Sequence, residues 1–270
     1  MFRLNQDNQL ITKQLTMIIG GLQKFSLLDF PGRVAAIIFT GGCNFRCPFC
    51  YNPMLVWPKG ARKLNKKNLI KAKTKEKDHF ALKQDDLFRF LEKRINKLEA
   101  VVITGGEPTL HPDLINFIKK IKRMGYLVKL DTNGTNPEML IKLLEKKLID
   151  YIAMDIKAPA DKHEKVTGIN KIRGSEALSF KIIEKSVRII KASGLPHEFR
   201  TTVVPSLIDK SDIIKIGKVI SGAETWYLQK FRSEADLVDD KYKNLRAYTH
   251  KEIEEMRAIG NKYVKKCKIR

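Results

Sequence analysis

The chain has 270 residues, enough to bury one substantial core, and its hydrophobic share of 43% is that of an ordinary globular protein. It carries 52 Lys and Arg against 30 Asp and Glu, a formal charge of +22, but no basic patch with interleaved aromatics marks a nucleic-acid module. No apolar run is long enough to cross a bilayer and no signal peptide is evident; the four cysteines, three of them crowded together, point to a metal site in a reducing cytoplasm and exclude a disulfide framework.

Residues 1–16 are polar and without period, and read as a loose N-terminal arm. Met17 to Gln23 suits a short strand, and Ser26 to Gly32 closes in a Pro-Gly turn. Val34 to Phe39 is continuously apolar, as in a strand buried on both faces of a parallel sheet. Thr40-Gly41-Gly42 ends it. Residues 58–78 form a basic insertion with nine Lys and Arg and little to pack. From there helical and strand patterns alternate. Helices are expected at 85–97, 113–124, 137–147, 175–192, 211–220 and 249–261. Strands are expected at 100–103, 127–130, 151–154, 198–204 and 225–228, with a last one over 263–269. Six βα units, with strands near residues 34, 100, 127, 151, 198 and 225, make an α/β fold: a partial (β/α)6 barrel, two units short of a closed one.

The most reactive stretch follows the first buried strand directly. Cys43, Cys47 and Cys50 stand in a C-x3-C-x2-C spacing within eight residues. Three local thiolates can grip three corners of an iron–sulfur cube and leave the fourth iron open for chemistry. Polar and glycine residues also gather after the other strands, at the face where barrels of this kind place their active sites. They include Gly105-Gly106-Glu107, Asp131 and Asn133, and Asp155-Ile156-Lys157. Glycines allow a ligand close to the backbone, and an acid-rich ring with one cation suits an amino-acid head joined to a ribose. The five histidines sit in unlike contexts and read mostly as surface or loop residues. Cys267 leaves two readings open: an ordinary thiol on a terminal strand, or a fourth ligand that closes the metal site.

The cysteine spacing, with Phe49 before the last Cys and Gly105-Gly106-Glu107 some 55 residues on, resembles the radical S-adenosylmethionine (SAM) superfamily. Ser26-Leu27-Leu28-Asp29-Phe30-Pro31-Gly32, Leu130 to Gly134, Ala153 to Pro159, Glu198 to Thr202 and Gln229-Lys230-Phe231 look like the activating proteins of anaerobic ribonucleoside-triphosphate reductase. The likeness runs over residues 17–270, read as one radical SAM domain, which makes Met17 an alternative start site. The resemblance implies that Cys43, Cys47 and Cys50 bind a [4Fe–4S] cluster whose open iron takes the amino and carboxylate groups of SAM. It places Phe49 near the adenine and Gly105, Gly106 and Glu107 at the methionyl amino group. Asp131, Asn133, Asp155, Ile156, Lys157 and Arg200 would hold ribose and carboxylate. Tyr51, also a candidate contact, stands where relatives often carry His. The implied reaction splits SAM reductively and sets a glycyl radical on a partner, the anaerobic ribonucleotide reductase, with a flavodoxin- or ferredoxin-like electron donor. Two alternatives remain at this level. One is a small-molecule radical SAM enzyme of the 7-carboxy-7-deazaguanine synthase type. The other is a non-enzymatic Zn or Fe–S protein closed by Cys267.

Overall fold

The structure, a computed structural model, describes residues 17–56, 82–169 and 179–270. The expected arm over 1–16, the basic insertion over 58–78 and the first residues of the helix expected from 175 lie outside the described residues.

One eight-stranded sheet runs in simple chain order, from β1 (Ile19–Ser26) through β2 (Ala35–Thr40), β3 (Ala100–Gly105), β4 (Leu127–Thr132), β5 (Tyr151–Asp155), β6 (His197–Val203) and β7 (Thr225–Lys230) to β8 (Lys266–Ile269). The pair β1 and β2 is antiparallel, and every later pair is parallel. The six expected strands are all present. The two short outer runs join the same sheet, one at each end, so the barrel is partial and its open side lies between β1 and β8. The helices are α1 (Pro53–Val56), α2 (Gln84–Glu92), α3 (Leu114–Arg123), α4 (Pro137–Glu145), α5 (His163–Thr167), α6 (Phe180–Ala192), α7 (Lys210–Val219) and α8 (His250–Gly260).

The helices form because their apolar residues recur every three or four positions. In α3, Leu114, Phe117, Ile118 and Ile121 make one buried stripe against the sheet. Starts are encoded as well. Asn136 caps α4 by accepting from the Met139 N–H, ahead of Pro137. Capping boxes of Asp209 with Asp212 and of Thr249 with Glu252 open α7 and α8. The large core lies between helices and sheet.

Inside the barrel the layers differ. Its lower end is plugged by Phe30, Ala35, Ile37, Ala100 and Val102, with Phe39, Leu127 and Tyr151 against them. The turn after β1 is therefore more than a connection, since it delivers Phe30 into the lumen. Above the plug, alternate residues of β4, β5 and β6 turn inward, and they are charged: Lys129 and Asp131, Asp155, Glu198 and Arg200.

The strands end together. Thr40 is level with Gly105, Thr132 with Met154, and Asp155 with Arg200. At the first of these levels the backbones meet directly. Gly106 N–H donates to the Thr40 carbonyl at 2.8 Å, and Glu107 N–H donates to the Gly42 carbonyl at 2.8 Å. A Cβ at Gly106 would lie 1.9 Å from the Gly42 oxygen, and Gly105 holds φ +112° against the Thr40 backbone. The glycines thus admit the neighbouring chain itself.

Gly106→Ala should accordingly lower the urea midpoint by a stability loss of about 1–3 kcal/mol. Gly21→Ala, whose Cβ would meet only the Phe39 side chain at 3.6 Å, should stay close to wild type. Equal midpoints for the two variants would contradict the close approach.

Candidate active site

The cysteine loop leaves β2 after Gly41 and Gly42, which donate to the Ile18 and Leu55 carbonyls at 2.9 and 2.7 Å. Each part of the loop is then held by a different following segment. Asn44 Nδ2 donates to Thr135 Oγ1 at 2.8 Å, and Asn133 Nδ2 donates to Asn44 Oδ1 at 2.8 Å. Arg46 N–H donates to the Thr167 carbonyl at 2.7 Å, and Gly168, at φ +62°, leaves room for the Arg46 backbone. The far end is tied by Asp239 N–H to the Pro48 carbonyl at 3.0 Å and Val238 N–H to the Cys50 carbonyl at 3.2 Å. Tyr51 stacks on Phe231 at 6.3 Å, and its hydroxyl oxygen accepts from the Arg232 N–H at 2.8 Å. Phe45 meets His163 edge-on at 5.5 Å. His163 itself is buried rather than superficial, and burial pushes its pKa down to about 4.

Cys43, Cys47 and Cys50 are free thiols on the wall of one cavity of about 680 Å³. Burial pushes Cys43 up to about 12 and raises Cys47 and Cys50 as well. Such thiols stay protonated unless a strong positive charge meets them, which is what metal ligation supplies. Among the described residues no three Cys, His, Asp or Glu side chains group as they would on a single ion. Three thiols on the wall of one cavity fit the cysteine ligation of an iron–sulfur cluster that leaves one position open to that cavity.

Cys267 has another place. Its Sγ packs against Gly260 so closely that a Cβ there would lie 2.6 Å away, with Trp226 beside it, and it does not line the cavity. The fourth-ligand reading is therefore not supported, and Cys267 is a packed thiol on β8.

The opposite wall carries the remaining candidates. Gly105, Gly106, Glu107, Asp131, Asn133, Asp155, Lys157 and Arg200 all line the cavity, with Phe49 and Tyr51 on the cysteine side. Glu107 has only 1% of its surface exposed. Its Oε1 accepts from Thr109 N–H and from the Thr109 and Thr132 hydroxyls, and its Oε2 accepts from Asn133 N–H at 2.6 Å. The carboxylate that sequence alone offers to an ammonium group is engaged in joining two turns. Ile156 is the one candidate that does not line the cavity. Its side chain is buried, its N–H donates to the Arg200 carbonyl, and its own carbonyl accepts from the Thr201 hydroxyl.

Arg200 links the acids. Its Nε donates to Asp155 Oδ1 at 3.0 Å and its Nη1 to Asp131 Oδ2 at 3.1 Å. Lys157 Nζ lies 3.1 Å from Asp155 Oδ2. Burial works against the Asp155 charge, but Arg200 and then Lys157 outweigh it and hold the carboxyl down at about 2. Burial likewise opposes the Lys157 ammonium, and Asp155, with Cys47 behind it, raises it above the usual range. The cavity thus offers thiols on one side and a fixed row of alternating charges on the other. Sequence reading assigned no role to Asn44 or Thr135, which fasten the loop, nor to Arg232 and Arg270, which line the cavity. Asn44, Thr135 and Arg232 adjoin quoted motifs, and Arg270 only follows the last expected strand.

The radical SAM superfamily profile matches residues 37–215. This chain belongs to that superfamily. A Methanocaldococcus jannaschii protein carrying the provisional name glycyl-radical enzyme activating enzyme is 31% identical over 94% of this chain and 95% of its own length. The pyruvate formate-lyase-activating enzyme of Clostridium pasteurianum is 27% identical over 88% of this chain and 91% of its own. Among solved structures, QueE from Escherichia coli superposes with a TM-score of 0.51 at 19% identity, covering 94% of this chain and 93% of that one. The chain is a radical SAM enzyme with relatives named as glycyl-radical enzyme activating enzymes, and its cofactors are a [4Fe–4S] cluster and SAM. No helix among the described residues is long and apolar enough to cross a membrane.

Replacing Cys43, Cys47 or Cys50 singly with Ala should reduce bound iron and acid-labile sulfide to background after anaerobic reconstitution. Cys267→Ser should retain the full content. Loss of the cluster in the Cys267 variant, with folding intact, would return that thiol to the metal site.

Proposed function

We propose that this protein activates a glycyl-radical enzyme, an anaerobic ribonucleoside-triphosphate reductase, by setting a radical on a glycine of that partner. The observation that carries the reading is the shared cavity, with three thiols on one wall and Asp131, Asp155, Lys157 and Arg200 on the other. The whole-length similarity to named activating enzymes supports the reaction class. The reductase as partner rests on the motif strings from Ser26-Leu27-Leu28 to Gln229-Lys230-Phe231.

In this reading Cys43, Cys47 and Cys50 hold three corners of the cluster. The cluster, if bound there, would supply the single electron for reductive cleavage of SAM, and with it the means to remove a hydrogen atom from the partner's glycine Cα. The chain's own residues bind, orient and keep the site dry. Phe49, only 3% exposed, packs beside the adenine and screens the ligating thiols from water. The Gly105 and Gly106 backbone gives the methionyl end close access, and Glu107 fixes that turn beside the amino group. Asp131, Asn133 and Asp155 take the ribose side, and Lys157 and Arg200 the carboxylate side. Ile156 contributes by anchoring the end of β5 to β6. Tyr51 braces the loop through Arg232 and bounds the cavity. The apolar plug closes the lower lumen to water, which a primary alkyl radical requires. A flavodoxin- or ferredoxin-like protein is the electron donor, and the cytoplasm is the compartment.

Anaerobically reconstituted and reduced protein should convert SAM to 5′-deoxyadenosine. Addition of the reductase should then give a doublet electron paramagnetic resonance signal on its glycine. A preparation with a full cluster that yields no 5′-deoxyadenosine would sink the reading. Nucleoside formation that couples to a small metabolite and leaves the reductase silent would move the substrate to the small-molecule class.

A further inference from the structure

Beneath the cavity floor lies a lysine that neither the motifs nor the similarities single out. Lys129, on β4 two residues before Asp131, has 1% of its surface exposed. Its Nζ donates to the Asp29 carbonyl at 2.5 Å and sits 5.2 Å above the Tyr151 ring. The same ammonium lies 3.6 Å from Asp131 Oδ1 and 3.6 Å from Glu198 Oε1. Both of those oxygens are buried and have no hydrogen-bond partner among the described residues. Glu198 is fully buried, and its other oxygen accepts from the Tyr151 hydroxyl at 3.0 Å. Neither Lys129 nor Glu198 lines the cavity, whereas Asp131 and Arg200 do.

We infer that Lys129 is a positioning residue for the SAM site, holding Asp131 and Arg200 in place from below the floor. Buried carboxylates here compete for one cation. Arg200 Nη1 stands 3.1 Å from Asp131 and 3.9 Å from Glu198, while its Nε reaches Asp155 at 3.0 Å. With Lys129 present, the buried Glu198 and the inner oxygen of Asp131 already face a positive charge. Arg200 is then free to lie flat along the floor and to bridge Asp131 to Asp155. With Lys129 gone, Glu198 keeps Arg270 Nη1 at 3.5 Å and Arg200 Nη1 at 3.9 Å, while among the described residues Asp131 keeps Arg200 alone, so one guanidinium is shared between both carboxylates and Asp155. Arg200 is then drawn down towards Glu198, and Asp155 and Lys157 lose the partner that fixes them. A shortened apolar side chain at 129 damages a site that it never touches.

The inference rests on the cavity binding SAM, so its test is an equilibrium one. SAM is titrated calorimetrically into anaerobic, cluster-loaded, unreduced protein, with iron content measured in parallel. Lys129→Met should weaken binding about tenfold, or about 1.4 kcal/mol, with iron content unchanged. Glu198→Gln should bind within about threefold of wild type. The double variant Lys129→Met/Glu198→Gln should regain most of the loss, because the competing carboxylate is gone. A residue that only fills space predicts losses that add and offers no such rescue. Wild-type affinity in Lys129→Met, or a double variant as weak as the single one, overturns the inference. If Lys129→Met does not fold, the double variant decides. Folded protein with near-native affinity supports the inference, and weak binding or no folded protein overturns it. Failure of the unaltered protein to bind SAM would sink the reading of the cavity instead.

Discussion

The buried carboxylate of Glu107 holds the active face together. It accepts from Thr109 on its own turn and from Thr132 and Asn133 on the next. Asn133 in turn donates to Asn44 on the cysteine loop. Three strand ends are thus joined by buried side chains and, on the cysteine loop, by the half-buried Asn44. A fully buried acid is costly unless its lone pairs are met, and here four donors meet them. Burial still raises the Glu107 pKa, since it outweighs the donors. Its cost is offset by what it secures: the loop that carries the thiols cannot move independently of the turn that faces them.

The charged layer in the lumen follows the same logic at higher stakes. At an effective dielectric near 20, a pair of unit charges about 4 Å apart interacts by roughly 4 kcal/mol. Desolvation consumes much of that gain, so a buried network adds little net stability while the loss of one member is expensive. Lys129, Asp131, Asp155, Lys157, Glu198 and Arg200 therefore specify geometry more than they hold the fold. The hydrophobic layers on both sides do the holding: the Phe30 plug below and the helix-facing core outside. Polar residues can be placed with this precision because the apolar layers have already fixed the strands that bear them.

The strands were legible because burial on both faces leaves a continuous apolar run, as in Val34 to Phe39 and Ala100 to Ile103. The helices were legible from their stripes and caps. The thiols and most of the opposite wall were legible because they follow strand ends at recognisable spacings. Other features depend on what approaches from far away in the chain, and no local pattern carries that. Gly105 and Gly106 read as space for a ligand, whereas the nearest neighbour is the Thr40 to Gly42 backbone. Lys129, in a Leu-Val-Lys-Leu strand, carries no signal of its place, because sequence does not show that the inward face of this sheet is a lumen. His163 reads as a loop residue and is buried between Phe45 and Phe180. Cys267 had two readings, and only its packing against Gly260 and Trp226 separates them.

The open side of the sheet reconciles two demands that a closed barrel would set against each other. A closed barrel of eight βα units fills its lumen with side chains and opens only at its ends. Here the sheet stops at β1 on one side and β8 on the other, and the cavity runs from the cysteine loop towards that gap. Leu28, from the turn that supplies the Phe30 plug, reaches the cavity while 82% of its surface stays exposed. Arg270, following β8, lines it from the other side, with its guanidinium 4.0 Å from the Tyr227 ring centre. Dryness is thus built into the lower lumen, where apolar residues exclude water permanently. Access is left at the flank, where a chain segment can enter without unfolding anything.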